Sequence, residues 1–352
     1  MAATPDTVPP IPAPAELRAA QEAATLRPRD LAESLGVSEA HLLAARAGQG
    51  VTRINADPDD LIAGLEALGE MMALTRNDSI VSEVEGDYTG YRAGPHAALV
   101  LGREIDLRIF PKHWVHGFAV EAETRQGLRR SFQVFDAAGD AVHKMYLPLE
   151  ADPSAWLALR DRLATGEVGD GLATGPRAAV EAAIEAPEKA EKLRAEWDGM
   201  GDSHQFLILC RKLRINRLGA YRMAGAPYAR KLPADALDRL LHRLADTQVP
   251  SMIFAGNAGC IQIKSGPIGP IKAMGPWLNV LDPGFDMHLR GDHVAEVWAV
   301  TKPSRRGPAV SVEAFDSRGA LITQVFGHRT AEVDHNAAWM ELVDGLVAEV
   351  AA

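Results

Sequence analysis

The chain is poor in cysteine: Cys210 and Cys260 are its two copies in 352 residues, and they lie fifty positions apart. With no CxxC there is neither a zinc ribbon nor a thioredoxin-like redox pair, and the expectation is two buried, inert thiols. Long apolar runs are missing as well; none approaches the roughly 18 residues needed to cross a bilayer. The opening MAATPDTVPPIPAPAELRAA has no apolar stretch behind a basic start, so neither a signal peptide nor a membrane anchor is expected there. A reducing, cytoplasmic setting follows as the expectation. A surplus of positive charge is absent too. The formal net charge of −10 makes nucleic acid an unlikely partner, because backbone phosphates select basic surfaces. Nucleotide and hydrolase signatures are lacking: GDGLATG, Gly169 to Gly175, has neither GxGxxG nor GxxxxGK[ST] spacing, and no GxSxG occurs.

What is present is a repeat. Asn77 matches Asn257, Asp106 matches Asp286, and Ser131, Phe135, Asp136 and Gly139 match Ser311, Phe315, Asp316 and Gly319, every pair 180 positions apart. The closing segments AWLALRDRL from Ala155 and AWMELVDGL from Ala338 match at a spacing of 183. The three-residue slip falls in a loop, where insertions are tolerated. A register held over this distance marks a tandem duplication.

Each copy reads as helices followed by strands. In the first, helices are expected from Ala15, Arg29, Ser38 and Asp57. An extended region then runs from Glu70 to about Tyr146, and a helix opens after Asp152-Pro153-Ser154. In the second, helices are expected at about 204–213, 216–224 and 233–245, strands from Pro250 to Phe326, and a last helix from about Asn336. The FDxxG pairs supply Asp and Gly for hairpin turns, so consecutive strands pair antiparallel. The fold class is α+β: an internal duplication in which each half carries a few helices and a large antiparallel, meander-like sheet. The domain reading is a disordered tail over 1–14, a first repeat over 15–165, a charged helical linker over 166–200 and a second repeat over 201–352.

Among candidate groups, His113 and His116 have HxxH spacing, but they lie in an extended stretch without a carboxylate or cysteine partner, and four converging ligands would be needed for structural zinc. They are read as strand histidines. His204 is better placed. In GMGDSHQFLILCRKL, Asp202 and Ser203 are capping residues, so the imidazole emerges where a rigid element begins, beside Phe206, Leu207 and Leu209. A capping or surface role is the commoner fate of such a residue, and the pattern alone leaves both readings open. Arg108, Arg217, Lys302 and Arg329 fall at strand ends or helix starts. There they serve either as surface ion-pair partners or as cations for a large, flat anion.

The segments LGVSEAHLLAAR, EIDLRIFPKHWVHGFAV, DSHQF, WLNVLDPGFDMHLR, VAEVWAVTKPS and FDSRGALITQVFGHR resemble the hemin-degrading family of HemS, HmuS, ChuS, ShuS and PhuS, from about Leu17 to Arg329. The resemblance implies heme b as cofactor, substrate or cargo, held in a cleft between the halves. It implies His204 as the axial iron ligand and Arg108 as the distal residue, with Phe110 against the porphyrin. Arg217, Phe254, Lys302, Gln324, Phe326 and Arg329 are implied as further pocket groups. At Phe326 some members carry a tyrosine, so a hydroxyl is missing here. Arg108 comes from the first copy and its aligned partner in the second is His288, so one site of this kind is expected. Two activities remain open on the same residues: an oxygenase-type enzyme that opens the heme ring with an external electron donor, or a carrier passing heme to a separate oxygenase. The implied partners are a heme ABC transporter on the cytoplasmic side, an electron donor and a downstream heme oxygenase.

Overall fold

The computed structural model describes residues 11–305, 307–329 and 334–351; most of the 1–14 tail lies outside them. The first repeat contains α1 (Pro14–Ala23), α2 (Pro28–Ser34), α3 (Glu39–Ala44), β1 (Val51–Ile54) and α4 (Pro58–Leu65). It continues with β2 (Glu70–Arg76), β3 (Ile80–Asp87), β4 (Ala98–Leu101), β5 (Asp106–Ile109), β6 (His116–Thr124), β7 (Gly127–Phe135), β8 (Ala141–Tyr146) and α5 (Ser154–Leu163). The linker ends in α6 (Ala190–Asp198), and the second repeat contains α7 (Phe206–Leu213), α8 (Arg217–Ala224), β9 (Ala229–Leu232) and α9 (Ala236–Thr247). Its strands are β10 (Ser251–Gly256), β11 (Cys260–Gly266), β12 (Lys272–Met274), β13 (Trp277–Asp282), β14 (Phe285–Arg290), β15 (Glu296–Lys302), β16 (Ala309–Phe315) and β17 (Leu321–Gly327), and α10 (Asn336–Ala351) closes the chain.

Helix starts follow the local chemistry. Asp57 accepts the N–H of Asp59, with Pro58 at the first helical position, where its missing N–H costs nothing. Asn216 accepts the N–H of Gly219 and caps α8. Two short strands escaped the sequence reading, β1 and β9; at four residues each they are too brief to show alternation. The linker also departs from expectation. It is helical only near its end, in the turn Pro187–Lys189 and in α6. Before that it runs as irregular chain pinned by side chains, with Arg177 on Asp140 and Asn216 accepting from the Ile184 N–H. The Glu/Lys-rich part, 187–198, is the part that turns helical and buries Leu193 and Trp197, whereas the lysine-free chain before it does not.

The strands form two antiparallel sheets, and neither belongs to one repeat. The nine-stranded sheet runs β1-β6-β7-β8-β2-β3-β14-β13-β12, and the eight-stranded sheet runs β4-β5-β11-β10-β17-β16-β15-β9. Each repeat therefore donates strands to the other. β5 pairs with β11, placing Arg108 opposite Ile261; β14 pairs with β3, placing His288 opposite Val81. The α+β, duplicated architecture is as expected, whereas the meander is interrupted by this exchange.

Two asparagines brace the exchange symmetrically. The Asn77 amide donates to the carbonyls of Gly256 (3.0 Å) and Ile322 (2.9 Å) and its oxygen accepts from the N–H of Ser79 and Ile80. Asn257 donates to Arg76 (2.9 Å) and Val142 (2.9 Å) and accepts from Gly259 and Cys260. Each side chain closes its own turn while satisfying carbonyls of the other copy.

The facing sheet surfaces form one continuous core in which Ala73, Val84, Leu107, Ile109, Ala255, Cys260 and Val325 are buried. Both cysteines are buried free thiols, pushed up by burial to about 11 at Cys210 and about 12 at Cys260, as the sequence led us to expect. A polar group is embedded there: His143, with Nδ1 2.8 Å from Thr75 Oγ1 and Nε2 2.7 Å from the Tyr88 hydroxyl. Burial pushes His143 down to about 3, so the ring is neutral in the native state. The unfolded chain takes up a proton near pH 6.5. Stability present above that value should therefore fall as the pH drops from about 6.5 toward 3, by up to about 1.4 kcal/mol per pH unit from this residue. Urea unfolding across that range tests the point: His143→Gln should be less stable at pH 7 but lose a proton's worth of slope, and an unchanged slope would assign the acid sensitivity elsewhere.

Candidate functional site

In antiparallel sheets, directly opposed residues share a face. The register of the eight-stranded sheet puts Arg108 beside Ile261, Phe254 beside Ile263 and Gln324, and Gln324 beside Glu313. One step along, Met252 lies beside Phe326, Phe326 beside Ser311 and Ser311 beside Val300. These residues form the outer face, the one turned away from the other sheet.

That face is covered at one end only. Over β15 and β16, helices α6, α7 and α8 bury Trp298 and Val300 with Trp197, Phe206, Leu209, Leu218 and Tyr221. Over β5, β11, β10 and β17 the face stays half-exposed at Arg108, Ile261, Met252, Phe254, Gln324 and Phe326. The rings of Phe254 and Phe326 lie 5.2 Å apart and make a continuous apolar floor. Phe110, half-exposed just past β5, is two residues beyond Arg108 and continues its row. The sequence reading is thus refined: the candidate cleft is a face of one sheet, to which the first repeat contributes β5.

His204 stands at the covered end. It lies in the 3-10 turn Ser203–Gln205 that leads into α7. The following Phe206 is anchored, its ring stacked on Tyr221 at 5.5 Å and on the Lys302 ammonium at 4.9 Å. That anchor fixes where the imidazole emerges, yet its side chain is 94% exposed. Its Nδ1 is 2.5 Å from Asp202 Oδ1, which also accepts the His204 backbone N–H at 2.9 Å. The N–H and the ring together hold the Asp202 carboxyl below its usual range. Leu207 and Ile208, on the same side of the helix as His204 by spacing, are 49% and 58% exposed, so apolar surface flanks the ring.

Arg108 is one-third exposed and is held by Asp106, the carboxylate two residues earlier on the same strand face, and by the Leu107 carbonyl at 3.1 Å. Arg217 and Lys302 are placed differently from Arg108. Both sit beneath the helices on Glu313, a carboxylate the sequence reading did not single out. Arg217 Nη1 donates to Glu313 Oε2 at 2.9 Å and Lys302 Nζ to Oε1 at 2.6 Å. Tyr221 and Ser311 hydroxyls donate to the same carboxylate, each at 2.8 Å. Burial alone would raise the Glu313 carboxyl, but the Lys302 and Arg217 charges and the Lys302 and Ser311 hydrogen bonds hold it well below the ordinary range. Two cations on one carboxylate leave the cluster with a net positive charge. The sequence does hold a signal for it, since Glu313 sits in AVSVEAF, a β-rich strand where a carboxylate must find cations. Arg329 follows β17 and pairs with Asp334 at 2.8 Å. His288 occupies the position equivalent to Arg108 in the other sheet, with Nδ1 2.6 Å from Asn279 Oδ1. Among the described residues, no group of three or more His, Cys, Asp or Glu side chains could hold a bare metal ion.

Comparison with known proteins follows the same duplication. The haemin-degrading HemS.ChuX domain matches twice, over residues 36–163 and 214–346. The chain belongs to this family. HemS.ChuX-domain relatives include the hemin transport protein HmuS of Yersinia pestis, 37% identical over 320 residues, 91% of this chain and 92% of the relative. The crystal structure of holo-PhuS, a heme-binding protein from Pseudomonas aeruginosa, superposes with a TM-score of 0.90 at 41% identity, covering 95% of this chain and 99% of that one. ChuS, described as an E. coli heme oxygenase, gives 0.84 at 32% identity over 93% and 98% of the two chains.

The Glu313 cluster carries a stability prediction for this HemS.ChuX-domain chain. Glu313→Ala leaves two buried cations without a counter-ion and should cost about 3–5 kcal/mol in urea unfolding. A loss below about 1 kcal/mol would mean that water already satisfies Arg217 and Lys302.

Proposed function

We propose that the half-covered outer face of the eight-stranded sheet binds heme b, that His204 is its axial iron ligand, and that the chain works in hemin utilisation by opening the heme ring. The observation that carries the reading is the placement of His204. A nearly fully exposed imidazole is fixed by an anchored helix start, and the same helix packs over one end of a sheet face whose other end is apolar, half-exposed and bears a cation, Arg108. A flat macrocycle needs apolar walls, a ligand for the metal and cations for its propionates, and these residues fit that donor set. Family membership and the heme-binding description of the PhuS structure support it further.

Heme supplies the oxidation chemistry on its own ring when bound; the chain's residues bind and orient. His204 offers a neutral nitrogen, and its Asp202 contact leaves Nε2 as the outward one. Phe254, Phe326 and Met252 present an apolar surface to the ring, and Phe110 extends it. With Phe326 in place of a tyrosine, that edge carries no hydroxyl. Gln324 and Arg329 suit the anionic propionates, and the Glu313 cluster, buried beneath the helices, adds its net positive charge to the field there. Arg108, held by Asp106 here, would on release offer its delocalised charge to negative charge developing on bound heme. Electrons come from a separate donor, since the sequence has no flavin or nicotinamide fingerprint. A heme transporter upstream is the matching source of ligand.

The same geometry also suits a carrier that hands heme to a separate oxygenase, the reading favoured by the 94% exposure of His204, which keeps the ligand accessible to a partner. Hemin titration watched optically, then addition of a reductase, catalase and oxygen, separates the two. Loss of the Soret band with release of iron marks the enzyme, and its persistence marks the carrier. His204→Ala should weaken hemin binding and abolish the imidazole-ligated spectrum. Arg108→Ala should leave binding largely intact while altering the spectrum of the opposite coordination position and slowing turnover. An unchanged Soret position and affinity in His204→Ala would overturn the ligand assignment.

A further inference from the structure

We infer that Asp202 is a positioning residue for the iron ligand: its carboxylate fixes the His204 tautomer so that Nε2 carries the free lone pair. The inference rests on His204 being the ligand and goes beyond it, because it assigns a role to a residue that otherwise serves only to start a turn.

The geometry carries the assignment. Asp202 adopts an extended backbone, φ −155° and ψ 140°, at the N-cap position of the turn Ser203–Gln205. One oxygen, Oδ1, lies 2.9 Å from the His204 backbone nitrogen and 2.5 Å from His204 Nδ1. An ionised carboxylate can only accept, so Nδ1 must carry the proton, and the remaining nitrogen is the acceptor. A free neutral imidazole has either tautomer available; this contact selects one. The turn is secured from its other side, where the Gln205 side chain accepts the Gly201 N–H at 2.8 Å, and Phe206 is locked on Tyr221 at 5.5 Å. Backbone, ring and carboxylate are thereby held as one unit before any ligand arrives. A histidine that ligates a metal commonly donates its second N–H to a carboxylate, which orients the ring and strengthens the bond. Here the carboxylate comes from two residues upstream rather than from a distant strand.

Capping and charge can be separated, because asparagine is as good an N-cap as aspartate and keeps an acceptor oxygen while losing the charge. Asp202→Asn should therefore preserve the turn and the thermal stability of the apo protein. Three readouts should move. In the apo protein above the imidazole's titration range, at about pH 9, nitrogen NMR should show the Nδ1–H tautomer dominant in the parent and mixed in the variant. In the ferrous heme complex, the iron–histidine stretching band should shift to lower wavenumber. Hemin affinity should fall about tenfold. Asp202→Ala should show the same shifts together with loss of the cap. Identical tautomer populations and an identical stretching band in parent and Asp202→Asn would overturn the inference. An iron–histidine band that survives in His204→Ala would instead overturn the ligand assignment beneath it, whereas the tautomer measurement needs no heme and reports on the Asp202 contact alone.

Discussion

The exchange of strands between the two sheets is the constraint on which the rest of the molecule depends. Had each repeat kept its own strands, Arg108 would lie in the sheet of the first repeat, away from Phe254, Gln324 and Phe326. Because β5 completes the edge of β11 instead, Arg108 comes into register with Ile261 and shares a face with Phe254, Gln324 and Phe326. The reciprocal donation of β14 to β3 sends His288 to the opposite sheet. Asn77 and Asn257 hold the crossing points, each satisfying backbone carbonyls of the other copy. Turns and crossover are thus fixed together, and separating the repeats would take the cross-copy carbonyls from both asparagine amide N–H groups.

Divergence of the copies is written in charge. Beneath α8, Glu313 gathers Arg217 and Lys302. In the first repeat the carboxylate comes from a helix, Glu39, and both cations from strands, Arg76 and Lys144, whereas in the second Glu313 and Lys302 come from strands and Arg217 from a helix. Both clusters pair one carboxylate with two cations, so the architecture tolerates either distribution provided that each buried charge has a partner of opposite sign. What has not been duplicated is the combination of an anchored, exposed histidine with a half-open apolar floor.

Several features could be read without coordinates because their physics is local or periodic. The duplication rests on a fixed spacing, the helix start at Asp57 rests on capping, and the buried thiols rest on the absence of any partner motif. His204 was legible as a group on a helix start, and Asp202 as a capping residue beside it. The linker misled because its Glu/Lys pattern, and with it the helix, is confined to 187–198. The short strands β1 and β9 carried too few residues for any period.

The sequence by itself determined the two-copy α+β architecture and the family, and it named His204 and Arg108 as candidates, since these depend on spacing, capping and short segments of chain. Only the tertiary structure decided which sheet Arg108 joins, that Arg217 and Lys302 meet on Glu313, and that helices cover one end of the face and leave the other open. Those outcomes depend on pairing between strands far apart in the chain, and strand order is set by the joint burial of both copies rather than by any local signal.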